Sequence, residues 1–255
     1  MSRTSIQELR ALRQRYLDSY STALDIGSDQ IAPATVIDQH SAMAIADAFE
    51  SAVHSPLDSS VIAAYQSLAE ETLLQWEFLV GAGYSIEPWV HTGQPYCGSK
   101  EMHSDVGSGH LYFFLTSSGF GEDDNQLDQT HNPLLHSSGI EVNGSQLLFN
   151  DLFRAVHDIF GHAQEGHEFG PLGEENAWRC HSSMFSAAAR QALTTETRGQ
   201  NSWFNFGPQM RRQDGALIGL GDSGFIAPEL RRYAPQKMSV LPIEFVFAAR
   251  CVRMS

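Results

Sequence analysis

Phe149-Asn150-Asp151-Leu152-Phe153-Arg154-Ala155-Val156-His157-Asp158-Ile159-Phe160-Gly161-His162 is the stretch on which the reading of this chain turns. Phe149, Leu152, Phe153, Val156, Ile159 and Phe160 recur at helical spacing, which predicts an amphipathic helix with Asn150 or Asp151 as its N-cap. The two histidines stand five residues apart. On a regular α-helix that separation turns them roughly 140° away from one another. Gly161 tolerates an altered backbone, so the helix is expected to end or distort there and swing His162 back toward His157. Immediately upstream, Ile140-Glu141-Val142, Asn143-Gly144 and Gln146-Leu147-Leu148 fit a two-residue hairpin that feeds this helix.

Two histidines and one carboxylate are the donor set of mononuclear non-haem iron sites that keep coordination positions open. Glu196, in Thr194-Thr195-Glu196-Thr197-Arg198, follows His162 by 34 residues and is the expected carboxylate, giving the set His157, His162 and Glu196. Glu174 and Glu175 are alternates for that position, although acidic residues after Pro171-Leu172-Gly173 also suit a helix N-terminus. His181 is an alternate imidazole, His167 is expected to be solvated in a surface loop, and Asp158 to stand beside the ligands or on the helix surface. After Glu196, the run from Arg198 to Gly207 concentrates a cation, amides and aromatics. There Arg198 could hold an anionic substrate in a bidentate fork, and Trp203 with Phe204 or Phe206 could stack on a flat ring. The plainer alternative has the aromatics filling the core and Arg198 paired with an acid.

The hexapeptide His157-Asp158-Ile159-Phe160-Gly161-His162 resembles the iron-binding motif of the pterin-dependent aromatic amino acid hydroxylases. That resemblance implies His157, His162 and Glu196 as ligands of Fe(II), and oxygenase chemistry on a small substrate with O2. A weaker likeness links Gly215 to Ser223 with the Gly/Ser-rich loop behind that family's glutamate. The family's Pro-Glu-Pro-Asp lead-in is replaced here by Phe149-Asn150-Asp151-Leu152-Phe153-Arg154. No pterin-stacking segment and no upstream substrate arginine can be placed, so the likeness carries iron further than pterin. Phe149–His162 and Glu174–Phe206 are also similar to an uncharacterised family of phage and bacterial proteins, which implies no activity.

Composition narrows the function classes. A net charge of −14 over 255 residues argues against binding nucleic acid or an anionic membrane surface. No run of 18 apolar residues occurs, and Met1-Ser2-Arg3-Thr4-Ser5 lacks the apolar core of a secretory signal. Cys97, Cys180 and Cys251 are odd in number and widely spaced, which fits a reducing cytoplasm rather than a disulfide framework.

Helices dominate the rest. Ser5-x-x-Glu8 is a capping-box pattern ahead of Leu9, Leu12 and Tyr16. A second helix is expected from about Ser41 to Val53, flanked by His40 and His54, and a third from near Asp58 along Val61, Ala64, Tyr65, Leu68, Thr72, Trp76 and Leu79. These N-terminal helices show no evident chemistry and read as scaffold. Gly83 to Gly98 reads as an ordered loop, Lys100 to Val106 as a short helix, His110 to Thr116 as a buried strand, and Ser117 to His131 as a lid or connection. Ser239 to Ala249 is an apolar stretch expected to close the core. The expected fold is mainly α with a few short strands, in a single domain over 1–255 resembling the hydroxylase catalytic core. Residues 1–83 form its scaffold and 140–233 its metal-site portion. The expected function is a non-haem Fe(II) oxygenase acting on a small molecule, with pterin as one candidate reductant. A zinc or manganese hydrolase using the same donors, with Glu174 or Glu175 as base, is the first rival. A non-catalytic structural or interaction domain with core histidines is the second. Nothing in the sequence sets the oligomeric state.

Overall fold

The central element is a 23-residue helix, α3 (Ser59–Gly81). Asp58 caps it by accepting from the backbone N–H groups of Ser60 and Val61. Val61, Ala64, Tyr65, Leu68, Thr72, Trp76 and Leu79 form its buried face, as their spacing predicts. The structure, a computed structural model, describes residues 6–27, 31–119 and 131–247. The Ser5 capping position, Cys251 and most of the expected lid between Ser117 and His131 lie outside the described residues.

Before α3 come α1 (Ile6–Tyr20), whose Leu9, Leu12 and Tyr16 are buried, and α2 (Gln39–Ser51), capped by Asp38. After it, β1 (Ser85–Pro88) and β2 (His110–Phe113) pair in parallel through α4 (Ser99–Val106). β1 falls within the stretch read from sequence as a loop. Parallel partners need a crossover, so a four-residue strand gives no local signal of its mate. Thr116 leaves the expected strand and begins a single turn, α5 (Thr116–Gly119).

The hairpin appears as β3 (Ser137–Val142) and β4 (Ser145–Leu148), with Asn143 and Gly144 both at positive φ (50° and 79°). Helix α6 (Phe149–His157) follows directly. Neither Asn150 nor Asp151 is its N-cap. Asp151 sits inside the first turn, accepts from the Leu148 N–H at 2.8 Å, and also takes the Thr116 N–H and hydroxyl. Leu152, Phe153, Ala155 and Val156 of α6 are buried, at roughly 1.5–3 kcal/mol for each of the larger side chains.

The C-terminal half contributes α7 (Pro171–Ser182), α8 (Ala187–Thr194) and α9 (Gln200–Phe206). Helix α3 packs between α6 and α8, and α2 packs on α9. One apolar cluster gathers α1, the β1–β2 region and α6, and another gathers α3, α7 and α8. Phe149 touches both clusters. The architecture is mainly helical with a few short strands, in one domain. Among the described residues, no helix is long and apolar enough to cross a membrane.

Candidate metal centre

Helix α6 does not stop at Gly161. It continues as a π-helical segment, Asp158–Ala163, in which Gln164 N–H donates to Ile159 O at 2.9 Å and His167 N–H to His162 O at 2.9 Å. Each is an i→i+5 bond, and a ladder of that pitch brings the fifth residue back over the first. The spacing that an ideal α-helix would splay is thereby made to converge. The His157 and His162 rings lie 5.2 Å apart, at right angles.

Gly161 has a role that differs from the expected one. A Cβ at this position would lie 3.1 Å from Cε1 and Nδ1 of His157 and 3.3 Å from Ala177 Cβ. The glycine makes room for the His157 ring rather than relaxing the backbone. Gly161→Ala should therefore press on that ring, with about 1–2 kcal/mol of overpacking, and weaken any divalent-metal binding through His157 by roughly tenfold. Anaerobic titration calorimetry beside a thermal melt tests this, and an unchanged affinity would remove the steric argument.

The carboxylate that joins the two imidazoles is Glu174. Donor atoms of His157, His162 and Glu174 all lie within 4.8 Å of one another. His162 Nε2 is 3.4 Å from Glu174 Oε2, a separation that suits two donors each about 2.1 Å from a shared ion. Glu174 stands in the first turn of α7, which packs against the π-helical segment. His162 Nδ1 donates to the His167 carbonyl at 3.1 Å, leaving Nε2 as the nitrogen that faces Glu174. His157 Nε2 is buried and has no hydrogen-bond partner among the described residues. Two ring nitrogens and a carboxylate oxygen within this mutual reach make a donor set that fits a divalent first-row metal.

Electrostatics favour a cation here. Burial lowers the His162 pKa, but the Glu174 carboxylate and then Asp158 outweigh it and push it up to about 9. Burial raises Glu174, yet His162 holds its pKa below the usual carboxylate range. His157 is held well below an ordinary histidine by burial and by its two histidine neighbours. The local field recruits positive charge, and a divalent cation would take the place of that proton. Asp158, pushed up to about 6 by burial, lines the adjoining cavity.

That cavity encloses about 550 Å³. His157, Glu174 and Glu196 line it, with Phe153, Phe204 and Tyr233 as aromatic walls and Asn150, Gln200, Asn201, Asn205 and Gln236 as amides. Arg154 supplies a cation. Asn150, Phe153 and Arg154 precede His157 by seven, four and three residues, so helical spacing already placed them on its face. That spacing is the sequence signal for this wall of the cavity.

Other expected site residues have different places. Glu196 is on the cavity wall but outside the donor cluster. A second π-helical segment, Thr195–Gly199, carries it, Tyr65 donates to its Oε1 at 2.5 Å, and Gln200 donates to its Oε2 at 2.7 Å. Arg198 does not face the cavity. Its Nε and one terminal nitrogen grip Glu175 at 2.8 and 2.7 Å, and its guanidinium lies 4.0 Å over Trp178. Glu175 is thus occupied by Arg198 and by Arg179. Trp203 packs with Ile45, Phe49 and Leu241 and donates its indole N–H to Glu50, whereas Phe204 does reach the cavity. His181 is fully buried behind His157, and His167 contributes its carbonyl rather than lying solvated. His40 is exposed and His54 accepts from the Met238 N–H, so neither lines the cavity. Helix α3, read as scaffold, supplies Tyr65 to Glu196 and Gln75 to His181.

Burial pushes the Glu196 pKa up from 4.5 to about 7 against the pull of Tyr65 and Gln200. An acid whose folded pKa is raised keeps its proton on folding, so its stabilising share is complete below 4.5 and is lost as pH rises toward 7. The share is roughly 2 kcal/mol once cavity solvent is allowed for. Glu196→Gln should flatten this slope, so the urea midpoint difference between variant and wild type should grow from pH 4.5 to 7. A constant difference over that window would show that Glu196 titrates normally. Comparison with protein families, with curated proteins and with solved structures returns no significant match to this chain.

Proposed function

We propose that the protein is a mononuclear non-haem Fe(II) oxygenase that oxidises a small organic molecule held in the cavity beside His157 and Glu174. The observation that carries this reading is the convergence of His157, His162 and Glu174 at a cavity with room for a substrate. Three protein donors leave coordination positions open, as oxygen-activating iron sites require. The likeness of the His157–His162 hexapeptide to the pterin-dependent hydroxylases favours iron within that set. Bound Fe(II) would supply the activation of dioxygen, with electrons from a reductant of which pterin is one candidate.

The remaining work falls to the chain. Phe153, Phe204 and Tyr233 offer apolar faces that orient a flat or aliphatic substrate, and the amides of Gln200, Asn201 and Asn205 offer donors and acceptors around it. Arg154 balances negative charge on the same wall. Glu196 exchanges a proton at a carboxyl oxygen near neutral pH, with the Tyr65 hydroxyl as its partner. Trp203 and Arg198 serve the packing beneath this wall.

A zinc or manganese hydrolase is the second reading, and one observation favours it. Two histidines and a glutamate also hold catalytic zinc, and Glu196 on the same cavity wall is suited to act as a base toward a bound water. Metal analysis of untagged protein followed by anaerobic Fe(II) reconstitution separates the readings. Oxygen uptake on adding ascorbate or a tetrahydropterin is the expected result. Zinc that resists chelation, with ester or amide cleavage and no oxygen uptake, would replace the oxygenase with the hydrolase. Sub-stoichiometric binding of every divalent metal would leave a non-catalytic domain.

A further inference from the structure

The structure assigns a positioning role to Gln75 and His181, which commit His157 Nε2, rather than Nδ1, to the bound cation. The assignment rests on the metal-site reading of His157. The protons along this buried chain can be counted from one end. Gln75 Nε2 donates to the Met184 carbonyl at 3.4 Å, which turns the amide oxygen toward His181. That oxygen lies 2.7 Å from His181 Nε2, and an amide oxygen only accepts, so His181 carries its proton on Nε2. Nδ1 of the neutral His181 ring is then bare. It stands 3.1 Å from His157 Nδ1, and a contact between two ring nitrogens holds a single proton. That proton belongs to His157 Nδ1.

His157 Nε2 is left as a lone pair, and it is this atom that is buried without a hydrogen-bond partner among the described residues. The chain from Gln75 through His181 to His157 ends at the donor cluster. Its geometry is held by packing, for the His181 ring stacks on Phe153 at 6.3 Å with a 14° tilt and meets Phe185 edge-on at 4.8 Å. Gln75 and His181 are both 0% exposed, so water has no route to substitute for either. Metal-bound imidazoles generally owe their orientation to a hydrogen bond from the other ring nitrogen, and losing that partner typically costs 10–100-fold in affinity. Here the partner is a second histidine whose own tautomer is fixed from α3.

Long-range proton–nitrogen NMR of the metal-free, nitrogen-labelled protein reads these tautomers directly, with His157→Ala and His181→Phe to assign the rings. Protons on His157 Nδ1 and on His181 Nε2 are expected. Gln75→Met removes the acceptor, and it should scramble the His157 tautomer and weaken Co(II) and Fe(II) binding by about 10–100-fold. If Gln75→Met does not fold, the wild-type spectrum decides alone. Metal binding by a wild type whose His157 is protonated on Nε2 overturns the assignment and leaves the metal site standing. The expected tautomers in a wild type that binds no Fe(II), Co(II) or Zn(II) overturn the metal site and leave the proton chain. A Gln75→Met variant with unchanged tautomer and affinity refutes the role of Gln75.

Discussion

Glu174→Ala should abolish stoichiometric Fe(II) binding while leaving the fold almost untouched. The glutamate belongs to the donor cluster, and its side chain is 31% exposed in the first turn of α7. Its structural contribution is the helix-dipole interaction and a share of the His162 contact, of order 1 kcal/mol. As a ligand it carries far more. Zinc-finger sites spread roughly 10–16 kcal/mol over four ligands, so one ligand is worth about 2.5–4 kcal/mol, or roughly two to three orders of magnitude in Kd. Deleting it also leaves two neutral imidazoles to balance a dication. Anaerobic titration with Fe(II), and with Co(II) for its absorption spectrum, measures the loss. Glu196→Ala is the control and should bind within a few-fold of wild type, because Glu196 is engaged with Tyr65 and Gln200 outside the cluster. Normal binding by Glu174→Ala together with loss in Glu196→Ala would move the carboxylate to Glu196.

Glu175→Ala, one residue on, should do the reverse. Glu175 and Arg198 are 8% and 7% exposed, and the Arg198 fork closes on the carboxylate through two contacts. Arg179 adds a third at 2.9 Å. Removing the carboxylate strands the Arg198 guanidinium over Trp178, with its Nη1 still donating to the Phe245 carbonyl. Breaking a buried pair from one side costs about 3–5 kcal/mol because the surviving charge is left uncompensated. In a chain of this size that lowers Tm by roughly 10 °C. Metal bound per folded molecule should stay unchanged. Calorimetric melting beside metal titration checks both halves, and a melt within 2–3 °C of wild type, about 1 kcal/mol, would show that the pair is solvated. Two neighbouring glutamates thus divide chemistry from stability, since successive helical positions point about 100° apart.

Much of this arrangement was legible beforehand. The buried face of α3 follows from its apolar spacing, and the Asn143-Gly144 turn follows from the positive φ that a two-residue hairpin demands. The need for a distortion between His157 and His162 was visible as well, though its form as a π-helical segment was not. A widened turn has no residue signature beyond what it must bring together. The short strand β1 escaped because its partner arrives only after α4. Arg198 and Trp203 looked like a substrate wall from composition, and their neighbours in space made them packing residues.

The amino-acid order by itself determined where α1 to α4 and the histidine helix run, that the histidine helix enters from a hairpin, and that His157 and His162 form a pair worth explaining. Those features depend on period and backbone preference, which act over a few residues. Only the tertiary structure chose Glu174 among three candidate glutamates, set Glu196 on the cavity wall with Tyr65, and backed His157 with His181 and Gln75. Each of those choices is a meeting between helices, fixed by which apolar faces pack together, and separation along the chain carries no measure of it.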